Sequence, residues 1–256
     1  MQIDEIFEHV YVIHVRKGYE ERKKHIDKHL PQRDIPHFNY ILDGDISDLT
    51  DDIIEKHFAK GDIFKEGKAA MSCTYKHILV YREMVQKEIP YALVFEDDVI
   101  LKKNFRKKLT RYLKDFTETA PFLINIEEAF EYVPLYFRKR DKYLYKAKKT
   151  KRTGAYIVNL EAAKKMLEFL ELNKYDYPID HMHTKMSQHG FIDIYWLQPP
   201  LALQGSKNGM FDSFLSGNRR TGVAGQIAWF FKQRYHEYVT TNLSKKRIEN
   251  FIMDRS

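Results

Sequence analysis

Cysteine is nearly absent from this chain, with Cys73 alone among 256 residues. That excludes a disulfide scaffold and any multi-cysteine zinc site, and it fits a reducing compartment. Glycine (11) and proline (8) are also sparse, which excludes collagenous and low-complexity architectures. No apolar run approaches the roughly 18 residues that a membrane span requires. The opening MQIDEIFEHV carries no secretory pattern. Hydrophobic residues at 43% and charged residues at 31% suffice for a large core and argue against wholesale disorder. The expectation is a cytoplasmic globular protein built as a single domain.

Acidic residues are the minority charge: 43 Lys+Arg face 36 Asp+Glu, a formal net charge of +7. A basic surface favours phosphates, nucleic acid or an acidic membrane. The acids gather at Asp43, Asp45, Asp48, Asp51, Asp52 and Glu55, and the bases at residues 138–152 and again after Arg219. Each run also suits a solvated face or loop.

Residues 10–15 (VYVIHV) form a β-branched run of the kind that a doubly covered parallel strand needs. Residues 19–30 predict a charged helix ended by Pro31, and residues 38–42 a short strand. From 69 to 85, Met71, Thr74, Ile78, Tyr81 and Val85 step by three and four, and so predict a helix. Cys73, His77, Val80 and Met84 form a neighbouring stripe, which implies burial on more than one side. Further strands are predicted at 91–95, 122–126, 154–158 and 192–197, with helices at 105–116 and 160–172, the latter capped by Asn159. This alternation predicts an α/β layer structure with a mostly parallel sheet.

The strand at 91–95 runs into Glu96-Asp97-Asp98. Adjacent acids beside a buried strand repel one another and call for a compensating cation. Oxygen-rich carboxylates suit Mg²⁺ or Mn²⁺, and in open α/β sheets the ligand crevice lies at the carboxyl ends of the strands. Along an extended backbone Glu96 and Asp98 share one face and Asp97 takes the other.

Residues 73–99, CTYKHILVYREMVQKEIPYALVFEDDV, resemble glycosyltransferase family 25, which comprises lipooligosaccharide β-galactosyltransferases and collagen-galactosylating relatives. Three further segments agree in order: Tyr11-Val12-Ile13 followed by Glu21-Arg22, then residues 154–158, then Pro178-Ile179-Asp180. The resemblance covers roughly residues 8–205. It departs at Ala69, Ala70, Met71 and Ser72, where the family has Gly-Glu-Ile-Gly, and at Lys76, where the family has Ser.

The resemblance implies a Rossmann-like sheet of the GT-A type, expected over residues 1–215, while the basic and aromatic composition of 216–256 suggests a helical tail. It implies inverting transfer of a hexose, galactose foremost, from a UDP-sugar to a saccharide hydroxyl in surface polysaccharide or lipooligosaccharide synthesis. By the same resemblance Asp98 is the principal ligand of Mn²⁺ or Mg²⁺, with Glu96 and Gln204 in its shell and Asp97 in support. Ile13, Arg16 and Arg22 fall beside the nucleotide, Gly154 beside the donor sugar, and Asp180 is the candidate general base. His181, His183 or His189 stand as alternatives to Gln204, or with Asp180 as a transition-metal set if the segment is extended. Tyr175, Tyr177 and Trp196 are candidates to stack on sugar or to fill the core.

The tail, with Trp229, Phe230 and Phe231 among Lys232, Arg234, Lys245, Lys246 and Arg247, suits peripheral docking on an anionic leaflet near a lipid-linked acceptor. Packing on the domain is the alternative. Two other classes compete with the transferase: a metal-dependent phosphoryl-transfer enzyme or nuclease, and a non-catalytic anion- or nucleic-acid-binding protein. No recognisable nucleic-acid-binding pattern accompanies the basic runs, so no specific nucleic-acid partner is expected.

Overall fold

The computed structural model describes residues 3–208, 210–211, 223–244 and 249. In chain order its strands are β1 (Val10–Ile13), β2 (Asn39–Ile41), β3 (Tyr91–Glu96), β4 (Val99–Leu101), β5 (Phe122–Asn125), β6 (Leu144–Ala147), β7 (Ala155–Asn159), β8 (Asp193–Leu197) and β9 (Ala202–Gln204). The helices are α1 (Ile3–Glu8), α2 (Glu20–His29), α3 (Asp51–His57), α4 (Asp62–Glu66), α5 (Lys68–Gln86), α6 (Phe105–Leu113), α7 (Leu160–Leu172), α8 (Ile179–Gln188), α9 (Gly205–Asn208) and α10 (Val223–Tyr235).

Seven strands form one sheet in the order β2-β1-β3-β7-β5-β8-β6, and β4 pairs separately with β9. β1, β2, β3, β5 and β8 point the same way, while β7 and the edge strand β6 run against them. This is the expected α/β architecture with a mostly parallel sheet. The one refinement is that a reversed strand sits in the middle of the sheet. β1 and β7 are buried along their whole length, because helices cover both faces.

One core lies under α5, α7 and α8 and contains Ile78, Tyr81, Met166 and Met182. The other lies under α1, α2 and α6 and contains Ile6, Ile26, Phe95 and Leu109. α5 buries both stripes read from its sequence, with only Cys73 and Val85 left partly exposed. α7 begins where predicted, because the Asn159 side chain accepts from Ala162 N at 3.0 Å. β6 lies inside the basic run, where buried Tyr145 and Ala147 alternate with half-buried Leu144 and Lys146.

Residues 223–243 are helical and dock on the domain. The Tyr132 hydroxyl lies 2.6 Å from the Gln233 side-chain amide, Arg234 pairs with Glu128 at 2.6 Å and Arg138 with Glu237 at 2.8 Å. The expected boundary at residue 215, and Lys245, Lys246 and Arg247, lie outside the described residues.

This topology brings the carboxyl ends of β1, β3, β5 and β8 to one edge. The reversal of β7 delivers its amino end, Gly154, to the same place.

Candidate active site

β3 is a buried hydrophobic strand that ends on Glu96, and Asp97 and Asp98 form the turn into β4. The three acids take different partners. Asp97 faces β1 and α2, where its Oδ2 lies 2.7 Å from His14 Nδ1 and its Oδ1 accepts from Arg22 at 2.8 Å. Glu96 accepts from Thr153 Oγ1 at 3.3 Å and from Gln204 Nε2 at 3.1 Å. Asp98 is 1% exposed; its Oδ2 accepts from Ser206 N at 3.0 Å, and its buried Oδ1 has no hydrogen-bond partner among the described residues.

A fourth carboxylate joins them that the sequence reading missed. Glu127 follows β5, is fully buried, and accepts from Gly154 N at 2.9 Å. Its Oε1 has no hydrogen bond, and the Arg152 guanidinium stands 3.7 Å away. Burial, then the charges of Asp98, Glu127 and Asp97, push Glu96 up to about 8. Burial pushes Glu127 up to about 7 against the pull of Arg152. Ionised together, these carboxylates would carry more negative charge than the nearby cations balance, the condition in which a divalent ion is favoured.

The glycine of the 154–158 segment is required by close approach. A Cβ on Gly154 would lie 2.6 Å from Gln204 Nε2 and 2.8 Å from Glu127 Oε2. Thus β7 can enter the sheet only with its backbone against the acids.

Beside this cluster opens a cavity of about 650 Å³. Lys149, Lys151, Arg152 and Lys185 supply its positive side, and Tyr177, Asp180 and His181 lie across it. Residues 149–152 are therefore not a solvated loop. Lys149 pairs with Glu131 at 2.5 Å, and Lys151 is buried against the Trp196 ring, where burial lowers its ammonium to about 8.

Asp180 is partly exposed in the first turn of α8 and accepts from His181 N at 2.9 Å. It belongs to the same neighbourhood as the acid cluster. Burial, then Glu96, Asp180, Asp97 and Asp98 together, raise the Cys73 thiol well above its ordinary value.

Other expected residues fall elsewhere. α8 is helical from Ile179, so the extended His-x-His arrangement does not form. His183 is buried and bonded to Tyr81 at 2.7 Å, whereas His181 and His189 are exposed. The three therefore do not converge as a metal set, and of the alternatives Gln204 alone contacts Glu96. Ile13 is buried opposite Glu96 in register. Arg16 is held by Asp45 at 3.0 Å and by Asp48. Arg22 sits on Asp97 and over the Tyr19 ring at 4.5 Å. Tyr175 and Trp196 are core residues, and Tyr177 lines the cavity.

Lys76, one of the departures, is 1% exposed. Its ammonium donates to the carbonyls of Leu42 (2.8 Å) and Asp43 (3.0 Å) and pairs with Asp45 at 2.9 Å. It fixes the loop after β2, which also takes Arg16.

Among known proteins, the chain is 26% identical over 164 residues to the lipooligosaccharide biosynthesis protein lic2B of Haemophilus influenzae, covering 61% of each sequence. It is 26% identical over 220 residues to the lacto-N-neotetraose biosynthesis glycosyltransferase LgtE of Neisseria meningitidis serogroup B, covering 78% of each. The chain thus spans about three fifths of the length of the Haemophilus relative. A solved glycosyltransferase involved in glycosylation of the major capsid of PBCV-1 superposes at a TM-score of 0.41 with 10% identity, over 89% of this chain and 98% of that one. That likeness is too distant to assign residue roles. Residues 7–183 match the model of glycosyltransferase family 25 (LPS biosynthesis protein). That match covers well over half of the sequence, and the chain belongs to glycosyltransferase family 25.

Proposed function

We propose that this protein is an inverting glycosyltransferase of lipooligosaccharide or surface polysaccharide synthesis. It moves a hexose, galactose foremost, from a UDP-sugar to a hydroxyl of a saccharide acceptor. One observation carries the reading: buried carboxylates short of counter-cations lie at the carboxyl edge of the sheet, beside a cavity lined by Lys149, Lys151, Arg152 and Asp180.

Asp98, through its unpartnered Oδ1, with Glu96 and Gln204 is the set that would hold Mn²⁺ or Mg²⁺. All their donor atoms are hard oxygens once the Gln204 amide presents Oε1, which suits such ions. A divalent ion there supplies a Lewis acid against the charge that develops on the departing diphosphate. Arg152, between Gln204 at 3.4 Å and Glu127, adds a fixed cation on the same side. Asp97 keeps Arg22 and His14 in place, and Ile13 fixes the register of β1 beside the nucleotide. Gly154 leaves room for the donor sugar against Glu127. Asp180, on the far side of the cavity, takes the proton of the attacking hydroxyl, because in-line displacement with inversion needs its base opposite the leaving group.

The acceptor in this reading is a lipid-linked saccharide. The exposed face of α10, with Ile227, Phe230, Phe231 and Tyr235 beside Lys232, rests on the anionic inner leaflet. No helix among the described residues is long and apolar enough to cross a membrane. Flotation with anionic and with neutral liposomes tests the attachment, and binding to neither refutes it. Hydrolysis or transfer from UDP-galactose that EDTA abolishes tests the reaction. Full turnover in EDTA overturns the metal, and binding of no nucleotide sugar overturns the donor class.

A further inference from the structure

We propose a second cation site in this molecule, formed by Cys73, His77 and Glu96 and suited to a thiophilic divalent ion such as Zn²⁺. Helical spacing of four puts Cys73 and His77 on one face of α5, and that face looks onto the end of β3. The Cys73 sulfur, a ring nitrogen of His77 and a Glu96 carboxylate oxygen all lie within 4.8 Å of one another. Sulfur, imidazole and carboxylate form a three-ligand zinc set with a fourth position left for water. Such a set differs in kind from the oxygen donors around Asp98.

The independent observation is His77 itself. It is fully buried, its Nδ1 lies 2.8 Å from the Tyr156 hydroxyl, and its Nε2 has no hydrogen-bond partner among the described residues. A buried ring nitrogen without a partner costs free energy unless something occupies it. The other nitrogen begins an ordered chain. Tyr156 OH lies 2.9 Å from Tyr81 OH, which lies 2.7 Å from His183 Nε2. With an ion on Nε2, His77 Nδ1–H donates to Tyr156, Tyr156 to Tyr81, and Tyr81 to His183, so that each hydroxyl donates once and accepts once. That is the outer arrangement that orients a metal-binding histidine. On binding, the Cys73 thiol gives its proton to solvent and the thiolate joins the ion. Under the proposed transferase reading, zinc would also draw Glu96 away from Asp98 and so inhibit transfer.

Cobalt(II) titrated into the metal-free full-length chain tests the site without reference to turnover. Since Cys73 is the only cysteine, a thiolate-to-cobalt charge-transfer band can arise from no other residue. The expected result is a band that saturates at one ion per chain and is bleached by Zn²⁺ but not by Mg²⁺. Cys73→Ser abolishes it. His77→Gln and Glu96→Gln each weaken cobalt binding ~10-fold or more, and Tyr156→Phe weakens it by up to ~10-fold through the outer hydrogen bond. Circular dichroism accompanies each variant, and Glu96→Gln decides alone if His77→Gln does not fold. Absence of the band in the folded wild-type chain overturns the site. So does a band that survives both His77→Gln and Glu96→Gln, since the thiolate would then act by itself. Binding of uridine diphosphate is measured separately, so failure of the transferase reading leaves the cobalt result standing.

Discussion

Glu127 and Glu128 are neighbours in sequence, both buried, and they titrate in opposite directions. Glu128 pairs with Lys102 at 3.3 Å and Arg234 at 2.6 Å and accepts from Tyr132 at 2.8 Å. Burial would raise it, yet Lys102, Tyr132 and Arg234 hold it below the usual carboxylate range. Glu127 has one guanidinium at 3.7 Å and is pushed up to about 7. The first carboxylate ties the C-terminal helix to the domain. The second joins Glu96 and Asp98, where negative charge exceeds its compensation. Burial alone does not separate structural acids from functional ones; how closely cations and donors contact the carboxylate oxygens does.

The largest expected effect falls on the undercompensated side. Asp98→Asn should lower transfer by about 10³-fold or more, the scale of losing several kcal/mol of charge stabilisation, with the thermal midpoint little changed. Asp180→Asn should cost about 10²–10⁴-fold in turnover and leave uridine diphosphate binding intact, as measured by calorimetry. A fully active Asp180→Asn enzyme assigns the base elsewhere.

Stability variants cut across the comparison. Glu128→Gln should destabilise by about 1–3 kcal/mol in urea, less than a fully enclosed pair because Lys102 and Arg234 are each about a third exposed. Glu127→Gln should cost nothing, and at pH 8 it should gain about 1–2 kcal/mol, because it removes a carboxylate whose ionisation the fold resists. That gain should shrink as the pH falls below about 7 and vanish near pH 4.5, where the unfolded chain carries the proton as well. Equal losses for the two variants would erase the distinction.

The smallest effect is a pH slope. Burial lowers His29 and His57 to about 4, and His29 Nε2 accepts from Leu101 N at 2.7 Å, which only the neutral ring can do. The unfolded chain binds these protons near pH 6.5 and the folded one does not. Stability is therefore full above 6.5 and falls as the pH drops toward 4. His29→Gln should flatten part of that slope in urea midpoints taken between pH 4 and 7.

Much of the fold was legible in the sequence. The double stripe of α5, the Asn159 cap and the run of β3 into three acids are local signals, and local physics decides them. The direction of β7 was not legible, because a buried β-branched strand reads alike either way. Glu127 escaped for a related reason: Ile-Glu-Glu after a strand is commonplace, and only the order of β3, β7 and β5 sets it beside Glu96. Lys151 and Arg152 were hidden in a run whose average charge suggested solvent, although Trp196 and Glu127 wait for them in the fold. The histidines of α8 misled because Pro178 suggested extension, whereas a proline just before a first turn is equally a helix start.

The central claim is that the carboxylates at the end of β3 hold a divalent cation against a nucleoside diphosphate. Calorimetric titration of uridine diphosphate, with Mn²⁺ and then with EDTA, tests it most directly in the wild-type chain and in Asp98→Asn. Binding that requires Mn²⁺ and disappears in Asp98→Asn is the predicted result. Binding of equal strength in EDTA, or unchanged in Asp98→Asn, would contradict it.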